Sequence, residues 1–116
     1  MRQARLIHNG VDIDIRVSVT ETVGERMRGL LGRAALERNE ALLLRRCRSI
    51  HTVGMRFAVD VLFIDRLGRV VAVHRDVGGA RMLFSLRGRD ALELRAGAAF
   101  RDCIRVGDPL AFEPLR

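Results

Sequence analysis

Apolar and polar residues alternate along one segment near the start of the chain. Between Val11 and Val19 the odd positions are apolar and the even positions are polar, which is the period of a strand with one buried face. A shorter extended run covers residues 4–8. The two runs flank Asn9-Gly10, which suits a two-residue hairpin turn because both turn positions need positive φ. The pattern predicts an antiparallel hairpin.

A helix start follows this hairpin. Thr22-Val23-Gly24-Glu25 fits a capping box, in which the Thr hydroxyl and the Glu carboxylate accept hydrogen bonds from free backbone N–H groups of the first turn. Gly32 is placed to end the helix in a left-handed conformation. Four apolar residues at helical spacing form the stripe that would face the core: Val23, Met27, Leu30 and Leu31.

The rest of the chain consists of short apolar runs between turn signals. Residues 59–65 are apolar on both faces, so this strand is expected to be covered on both sides and central in its sheet. Further elements are predicted as a buried strand at 41–44, a hairpin partner at 69–75 after the loop Arg66-Leu67-Gly68, strands at 81–86, 90–95 and 110–112, and a helical turn within 96–103. Many short strands with little helix predict a single domain over 1–116 of the mainly β class: an antiparallel β-sandwich or partly closed barrel with one short α-helix.

Composition excludes several protein classes. The longest run without Asp, Glu or Arg is Ser49 to Met55, far shorter than the roughly twenty apolar residues of a membrane-spanning helix. No apolar core typical of a secretory signal follows Arg2 and Arg5. We therefore expect a cytoplasmic protein without membrane contact, in which Cys47 and Cys103 are reduced thiols.

The positive charge is concentrated in one segment. All 21 basic residues are Arg, and the formal net charge is +7. A GC-rich coding background would explain Arg in place of Lys, but it would not explain why eight arginines and only two acids fall within residues 26–56. Arg45, Arg46 and Arg48 precede the neutral run 49–55, and Arg56 follows it. Because guanidinium groups bind carboxylate and phosphate with paired donors, this loop is a candidate anion site.

His51 and Asp60 are the candidates for acid/base chemistry. An imidazole exchanges protons near neutral pH, and Asp60 lies on a strand predicted to be buried, so its carboxylate needs a partner, for which Arg56 or His51 is the simplest choice. The structural alternative is a loop histidine bonded to a backbone carbonyl and an aspartate that pins the loop to the strand. Met55 would line a pocket or fill the core, and Gly54 would supply a backbone conformation closed to other residues.

Three other kinds of site have weaker support in the sequence. Cys47, His51 and Cys103 are too scattered for the usual spacing of a zinc site, and a nucleophilic triad of Cys103, His51 and Asp60 has no local activating feature beyond two arginines. Nucleic-acid binding fits the charge, but Trp and Tyr are absent and three of the five Phe lie in predicted core segments, which leaves few rings for base stacking. We expect contact with nucleic acid to be non-specific.

Several motifs, taken in order, resemble one known family. They are 25–33 (ERMRGLLGR), 51–65 (HTVGMRFAVDVLFID), 92–97 (LELRAG) and Gly107-Asp108. The sequence resembles the prokaryotic uncharacterised family catalogued as domain of unknown function one hundred and ninety-two, and the match runs over nearly the whole chain. The resemblance implies a compact, mainly β sandwich or barrel with a short helix, and it implies no reaction.

The leading hypothesis is a small binding module with a positively rimmed pocket for an anionic small molecule or acidic peptide. The alternatives are a hydrolase- or isomerase-type enzyme with His51 and Asp60 as acid/base pair, and non-specific nucleic-acid binding. No metal or cofactor is assigned, and a monomer or weak homodimer is expected. The predicted ligand-binding residues are Arg45, Arg46, Arg48, His51, Gly54, Met55, Arg56 and Asp60.

Overall fold

The computed structural model describes residues 1–22, 24–25 and 35–115. Within these ranges the chain forms mostly strands, with helical backbone at Gly24 and Glu25 and a four-residue helix late in the sequence. The elements are β1 (Arg2–His8), β2 (Val11–Val19), β3 (Glu40–Leu44), β4 (Ser49–His51), β5 (Val59–Ile64), β6 (Val70–Val77), β7 (Met82–Phe84), β8 (Asp90–Arg95), α1 (Ala98–Arg101) and β9 (Leu110–Pro114).

The strands form one large sheet and one small sheet. The large sheet has the order β6-β5-β8-β3-β2-β1-β9, and β4 pairs with β7 in the small sheet. The mainly β class predicted from sequence is therefore confirmed. One pair in the large sheet, β2 and β3, is parallel, because the long stretch of chain between Val19 and Glu40 allows the crossover connection that parallel neighbours require.

The two edges of the large sheet meet at one corner. Val70 N donates to Asp108 O at 3.0 Å, Gly107 N donates to Val70 O at 2.7 Å, and Leu110 N donates to Gly68 O at 2.8 Å. These bonds join the start of β6 to the segment that leads into β9. Among the described strands the contact of β6 and β9 does not continue along their length, so the sheet is strongly curled without closing into a barrel.

Both faces of the sheet are covered by apolar side chains. The inner core lies within the curl and receives residues from all seven strands and from α1, including Leu6, Ile15 and Ile104. The outer core lies on the other face, around Val61 and Phe63, where the small sheet packs against it. All six residues of β5 are buried, so its coverage on both faces is confirmed, although β5 is next to the edge strand β6.

The local turn signals of the sequence are confirmed. Asn9 and Gly10 adopt φ angles of 51° and 80° between β1 and β2. The capping box forms, since Glu25 N donates to Thr22 Oγ1 at 3.1 Å and Thr22 N donates to Glu25 Oε1 at 3.2 Å. The apolar stripe predicted for that helix, and Gly32, lie outside the described residues. In the described part of the chain no helix has the length and apolarity needed to cross a membrane.

Candidate functional site

One end of the large sheet holds a cavity of about 270 Å³. It lies where β1 begins, where β2, β3 and β5 end, and where β8 begins. Its lining combines arginines with apolar residues of the inner core and includes Arg2, Arg45, Arg66, Arg89, Ala4, Val19, Leu43, Ile64, Leu110 and Phe112. Positive charge and apolar surface therefore meet in the same cavity.

Two neighbouring cavities, each of about 380 Å³, extend this surface. One shares Arg2 and Arg45 with the first cavity, and the other shares Arg66 and Arg89 with it. Three acidic residues, Glu21, Asp65 and Asp90, also line the three cavities. We call the basic residues that line them the arginine rim: Arg2, Arg45, Arg46, Arg48, Arg66, Arg87 and Arg89.

Two members of the arginine rim lie beside acids. Arg2 Nε is 3.1 Å from Glu21 Oε1, and Arg45 Nε is 3.8 Å from Asp90 Oδ1. The other five make no ion pair with any residue in the described ranges. Seven arginines against three acids leave the rim positively charged, and like charges gathered around a cavity raise the local concentration of an anion.

The turn between β3 and β4 carries three members of the rim and is held through its backbone. Arg45 N donates to Thr20 Oγ1 at 3.2 Å, and Arg46 N donates to Asp90 Oδ1 at 2.8 Å. Arg46 adopts a left-handed φ of 55°. Because these hydrogen bonds use main-chain groups, the turn is fixed while the guanidinium groups stay available for a ligand.

Arg45 lies between two of the cavities, and one of its nitrogens is unsatisfied. Its Nε is buried and has no hydrogen-bond partner, since Asp90 Oδ1 at 3.8 Å lies beyond hydrogen-bond distance. A buried donor without an acceptor costs free energy in the folded protein. Arg45 lines two of the three cavities, and its side chain as a whole is 39% exposed, so a ligand would contact the accessible atoms of the side chain and not Nε.

The structure places four other predicted site residues away from the arginine rim. His51 lies on β4 with its side chain exposed, and Arg56 is exposed in the following loop. Gly54 adopts a φ of 85° in the turn closed by Met55 N donating to Thr52 O at 3.1 Å, so the expected special backbone conformation is confirmed. Met55 is half-buried against the outer core. None of these residues lines a cavity described above.

Asp60 lies buried on β5, and its carboxylate accepts three backbone hydrogen bonds. Oδ1 accepts from Asp76 N at 2.9 Å, and Oδ2 accepts from Gly97 N at 3.1 Å and from Ala99 N at 2.9 Å. These amides take the place of the expected Arg56 or His51 partner. The carboxylate thus ties a bulge of β6 and the start of α1 to β5, which is the pinning role considered as the structural alternative.

Glu93 is a buried acid whose importance the sequence reasoning missed. It lies on β8, opposite Leu42 of β3 and Val61 of β5, and its Oε2 is buried with no hydrogen-bond partner. Burial raises the pKa of Glu93 to about 7. The signal was available, because a single acid interrupts the apolar run Ala91-Leu92-Glu93-Leu94.

His8 and Asp108 form a second pair that the sequence reasoning missed. His8 Nε2 lies 2.7 Å from Asp108 Oδ2, and Arg105 N donates to the same oxygen at 2.9 Å. The hydrogen bond with His8 and that from Arg105 lower the pKa of Asp108. The pair ties the end of β1 to the segment before β9, 100 positions later, and pairings at that separation leave no local sequence pattern.

The two cysteines lie at separate places and form no disulfide with each other. Cys47 is half-buried after β3, with Sγ 3.1 Å from Ser49 O, and Cys103 is exposed after α1. Within residues 1–22, 24–25 and 35–115, no three His, Cys, Asp or Glu side chains are grouped so that they could hold a metal ion.

Two solved structures share this fold. One is a putative transcription regulator from Sinorhizobium meliloti 1021, with a TM-score of 0.79 and 24% identity over 96% of this chain and 92% of that chain. The other is a protein of unknown function from Novosphingobium aromaticivorans DSM 12444, with a TM-score of 0.80 and 21% identity over 94% of this chain and 83% of that chain. At these identities the likeness concerns the fold alone. No curated protein matches the chain.

A family model matches residues 4–112 and so includes every motif on which the resemblance was based. The family has no established function, so the match classifies the chain without assigning an activity to any of its residues. The chain belongs to the family DUF192, described as Uncharacterized ACR.

Proposed function

We propose that this chain is a binding module that takes a small anionic ligand at the arginine rim. The observation that carries the proposal is that seven arginines line three neighbouring cavities, and that five of them form no ion pair with any described residue. A carboxylate or phosphate among these arginines would accept hydrogen bonds from guanidinium groups that no described acid pairs with. Charge-assisted hydrogen bonds of this kind are about twice as strong as neutral ones.

The surrounding charges favour the same ligand class. Arg66 and Arg89 line the cavity that Arg45 lines, and neither is paired with an acid of the described chain. Asp65 lines the same cavity, and its Oδ1 is directed to the backbone, where it accepts from the N–H groups of Leu67 and Arg69 at 2.9 and 3.0 Å. A ligand anion at this cavity therefore meets Arg66 and Arg89 side chains that are not held in ion pairs by the acids of the described chain. A small molecule fits better than an acidic peptide, because these arginines converge on a cavity.

The contacts of His51 and Asp60 support an acid/base pair less well. The carboxylate of Asp60 is fully buried and bonded to backbone amides, whereas His51 is exposed on β4. A general acid or base must reach the proton that it transfers, directly or through one water. The geometry therefore favours a binding role over this pair as the functional centre.

The test is a calorimetric titration with inorganic phosphate and with short carboxylates at low salt. The expected result is saturable binding that Arg45→Gln weakens by about 10-fold to 100-fold, the equivalent of one charge-assisted hydrogen bond. Arg46→Gln should weaken binding less, because Arg46 lines only the outer of the two cavities that Arg45 lines.

Arg95→Gln is the matched control. Arg95 is exposed at the far end of β8 and lines none of the three cavities, so its replacement removes the same charge from elsewhere. Equal losses for Arg45→Gln and Arg95→Gln would show only a general charge effect and would contradict the proposed site. A flat titration at millimolar ligand would overturn the proposal.

A further inference from the structure

The small sheet carries apolar side chains that face water. On β7, Leu83 packs into the outer core, whereas Met82 and Phe84 are 75% and 62% exposed. Leu86 follows at the same two-residue spacing and is 77% exposed. A strand that turns one face to water normally carries polar residues on that face, and adjoining exposed apolar side chains mark a surface that a partner covers. We call Met82, Phe84 and Leu86 the β7 stripe.

The same strand has a free edge. Arg81 O accepts a hydrogen bond from the residue after β4, and Ser85 N donates one to the residue before β4, both at 2.9 Å. Because the main-chain groups of a strand point alternately to its two sides, those of Met82 and Phe84 point away from β4. No third strand of the described chain pairs with β7. An edge of this kind can add an extended segment of another polypeptide through main-chain hydrogen bonds.

The chain that builds the small sheet carries positive charge only. Residues 45–59 contain four arginines and no acid, and residues 77–89 contain three arginines and no acid. Arg81 precedes β7 and Arg87 follows it, and neither forms an ion pair within the described ranges. A segment with acids at its two ends complements this charge. A second copy of the chain does not, because it would bring the same arginines against them.

We propose that β7 docks an extended segment of another protein, with apolar residues at alternate positions and acidic residues at both ends. The interior of a bilayer would leave the free N–H and C=O groups of the edge without partners, and a nucleic acid would leave the β7 stripe without apolar contacts. The surface is separate from the proposed anion site, since Arg81 and the β7 stripe line none of the three cavities. It is an open edge, which suits a peptide rather than a small molecule.

The test uses the labelled peptide Glu-Glu-Val-Thr-Val-Thr-Val-Glu-Glu, titrated with the protein at low salt and followed by fluorescence anisotropy. The expected result is saturable binding. The same peptide with lysine in place of glutamate should bind at least about 10-fold more weakly, because its charges are repelled by the arginines. A peptide N-methylated at two adjacent central positions should also lose at least about 10-fold, because both of its edges then lack a main-chain donor.

A pair of phenylalanine variants locates the peptide. Phe84→Ser should weaken peptide binding by about 10-fold, because the ring that the peptide covers is lost. Phe100→Ser is the matched control, since Phe100 is 72% exposed on α1, which packs against the inner core on the other face of the large sheet. It should change the affinity by less than about twofold. Met82→Ser provides a second variant of the stripe.

The anion site and the docking edge can be told apart in the same experiment. Arg45→Gln should leave peptide binding within about twofold while weakening that of phosphate, and Phe84→Ser should leave phosphate binding unchanged. A peptide that responds to Arg45→Gln and not to Phe84→Ser would lie at the arginine rim and would overturn the proposal.

Other outcomes also contradict the docking edge. An absence of saturable binding at millimolar peptide, or equal losses for Phe84→Ser and Phe100→Ser, would overturn it. Binding to phosphatidylglycerol vesicles that Phe84→Ser removes, with no binding of the peptide, would make the stripe a membrane contact instead. The unfolding transition of each variant without peptide verifies that it folds.

Discussion

Asp60 shows how one residue can suggest catalysis in the sequence and serve the fold in the structure. A carboxylate on a buried strand needs partners, and that requirement could be stated from the sequence. The partners are amides of Asp76, Gly97 and Ala99, which lie 16 to 39 positions away along the chain. Backbone donors carry no side-chain signature, so only the folded structure could identify them.

Replacing Asp60 should destabilise the protein strongly. Asp60→Ala removes the acceptor of three backbone N–H groups, and each buried unpaired donor costs about 1–3 kcal/mol. We expect a loss of at least about 3 kcal/mol in the free energy of unfolding, measured by urea denaturation. Glu113→Ala is the control, because Glu113 is exposed on β9, and it should change the stability by less than about 0.5 kcal/mol. Similar stability for the two variants would contradict the role of Asp60.

Glu93 should make stability depend on pH in the direction opposite to a paired carboxylate. Its pKa is about 7 in the folded protein, compared with 4.5 for an unperturbed group. Below pH 4.5 the carboxyl is protonated in both states and adds no pH dependence to the stability. Between pH 4.5 and about 7 only the unfolded chain ionises, so the folded state loses stability as pH rises, by about 3 kcal/mol in total.

Glu93→Gln tests this dependence because glutamine keeps the shape and cannot ionise. The free energy of unfolding of the variant relative to the unmodified protein should increase between pH 5 and pH 8, as measured by urea denaturation at both values. Glu113→Gln supplies the matched control, and its difference from the unmodified protein should stay constant. Parallel pH profiles for Glu93→Gln and the unmodified chain would show that burial does not hold the carboxyl protonated.

At the scale of elements, the hairpins were predicted because their signals are local. Asn9-Gly10 and Arg66-Leu67-Gly68 specify turns within a few residues. The parallel pair of β2 and β3 and the small sheet of β4 and β7 were not predicted, because they join segments separated by 20 residues or more along the chain. Their partners are selected by which apolar faces can be buried together.

Gly10 and Gly68 lie in these two turns and provide a matched comparison. Both adopt positive φ, of 80° and 85°. A Cβ at Gly10 would have no atom within 4 Å, whereas a Cβ at Gly68 would lie 2.8 Å from the carbonyl oxygen of Leu110. Gly10→Ala should therefore lower the free energy of unfolding only by the left-handed backbone strain of about 1–2 kcal/mol. Gly68→Ala should lower it clearly more, because the added Cβ would also push apart Gly68 and Leu110 at the corner where the sheet edges meet.

Thermal or urea unfolding of the two glycine variants measures the difference directly. The cost in Gly68→Ala beyond that in Gly10→Ala reports the close approach between the β5–β6 turn and β9. Equal costs would show that the turn moves away from Leu110 without loss, and that the corner contact contributes little to stability.

At the scale of the whole molecule, the net charge of +7 predicts weak contact with nucleic acid and no base recognition. Of the five Phe, Phe84 and Phe100 are largely exposed, and the guanidinium of Arg75 lies 5.7 Å from the centre of the Phe100 ring. Exposed rings of this kind are too few and too separated along the chain to form a stacking platform for successive bases.

Binding to short DNA duplexes should therefore depend on salt and not on sequence. If the five unpaired rim arginines contact phosphates, the logarithm of the binding constant should fall against the logarithm of salt concentration with a slope near about −4.5. Fluorescence anisotropy between about 50 and about 200 mM salt measures this slope for two duplexes of unrelated sequence. A preference for one duplex that persists at the higher salt would contradict non-specific contact.

The candidate site was only partly predictable. The sequence identified Arg45, Arg46 and Arg48 as a basic cluster because they are neighbours in the chain. Because His51, Met55 and Asp60 are also close in the chain, the sequence predicted that they belong to the same site. In the structure the three arginines instead line cavities together with Arg2, Arg66 and Arg89. Strands that are distant in the chain begin or end at this one end of the curled sheet, and the adjoining turns bring these arginines together.

The sequence by itself determined the mainly β class, the two hairpins and the family, because strand period, turn dipeptides and ordered motifs are local properties. Only the tertiary structure decided which arginines surround a cavity, which amides hold Asp60 and where Glu93 is buried. Each of those facts depends on the register and curl of the sheet. The register and curl of the sheet are those that leave the least apolar surface exposed over the whole chain. They therefore cannot be predicted from any short segment of the sequence.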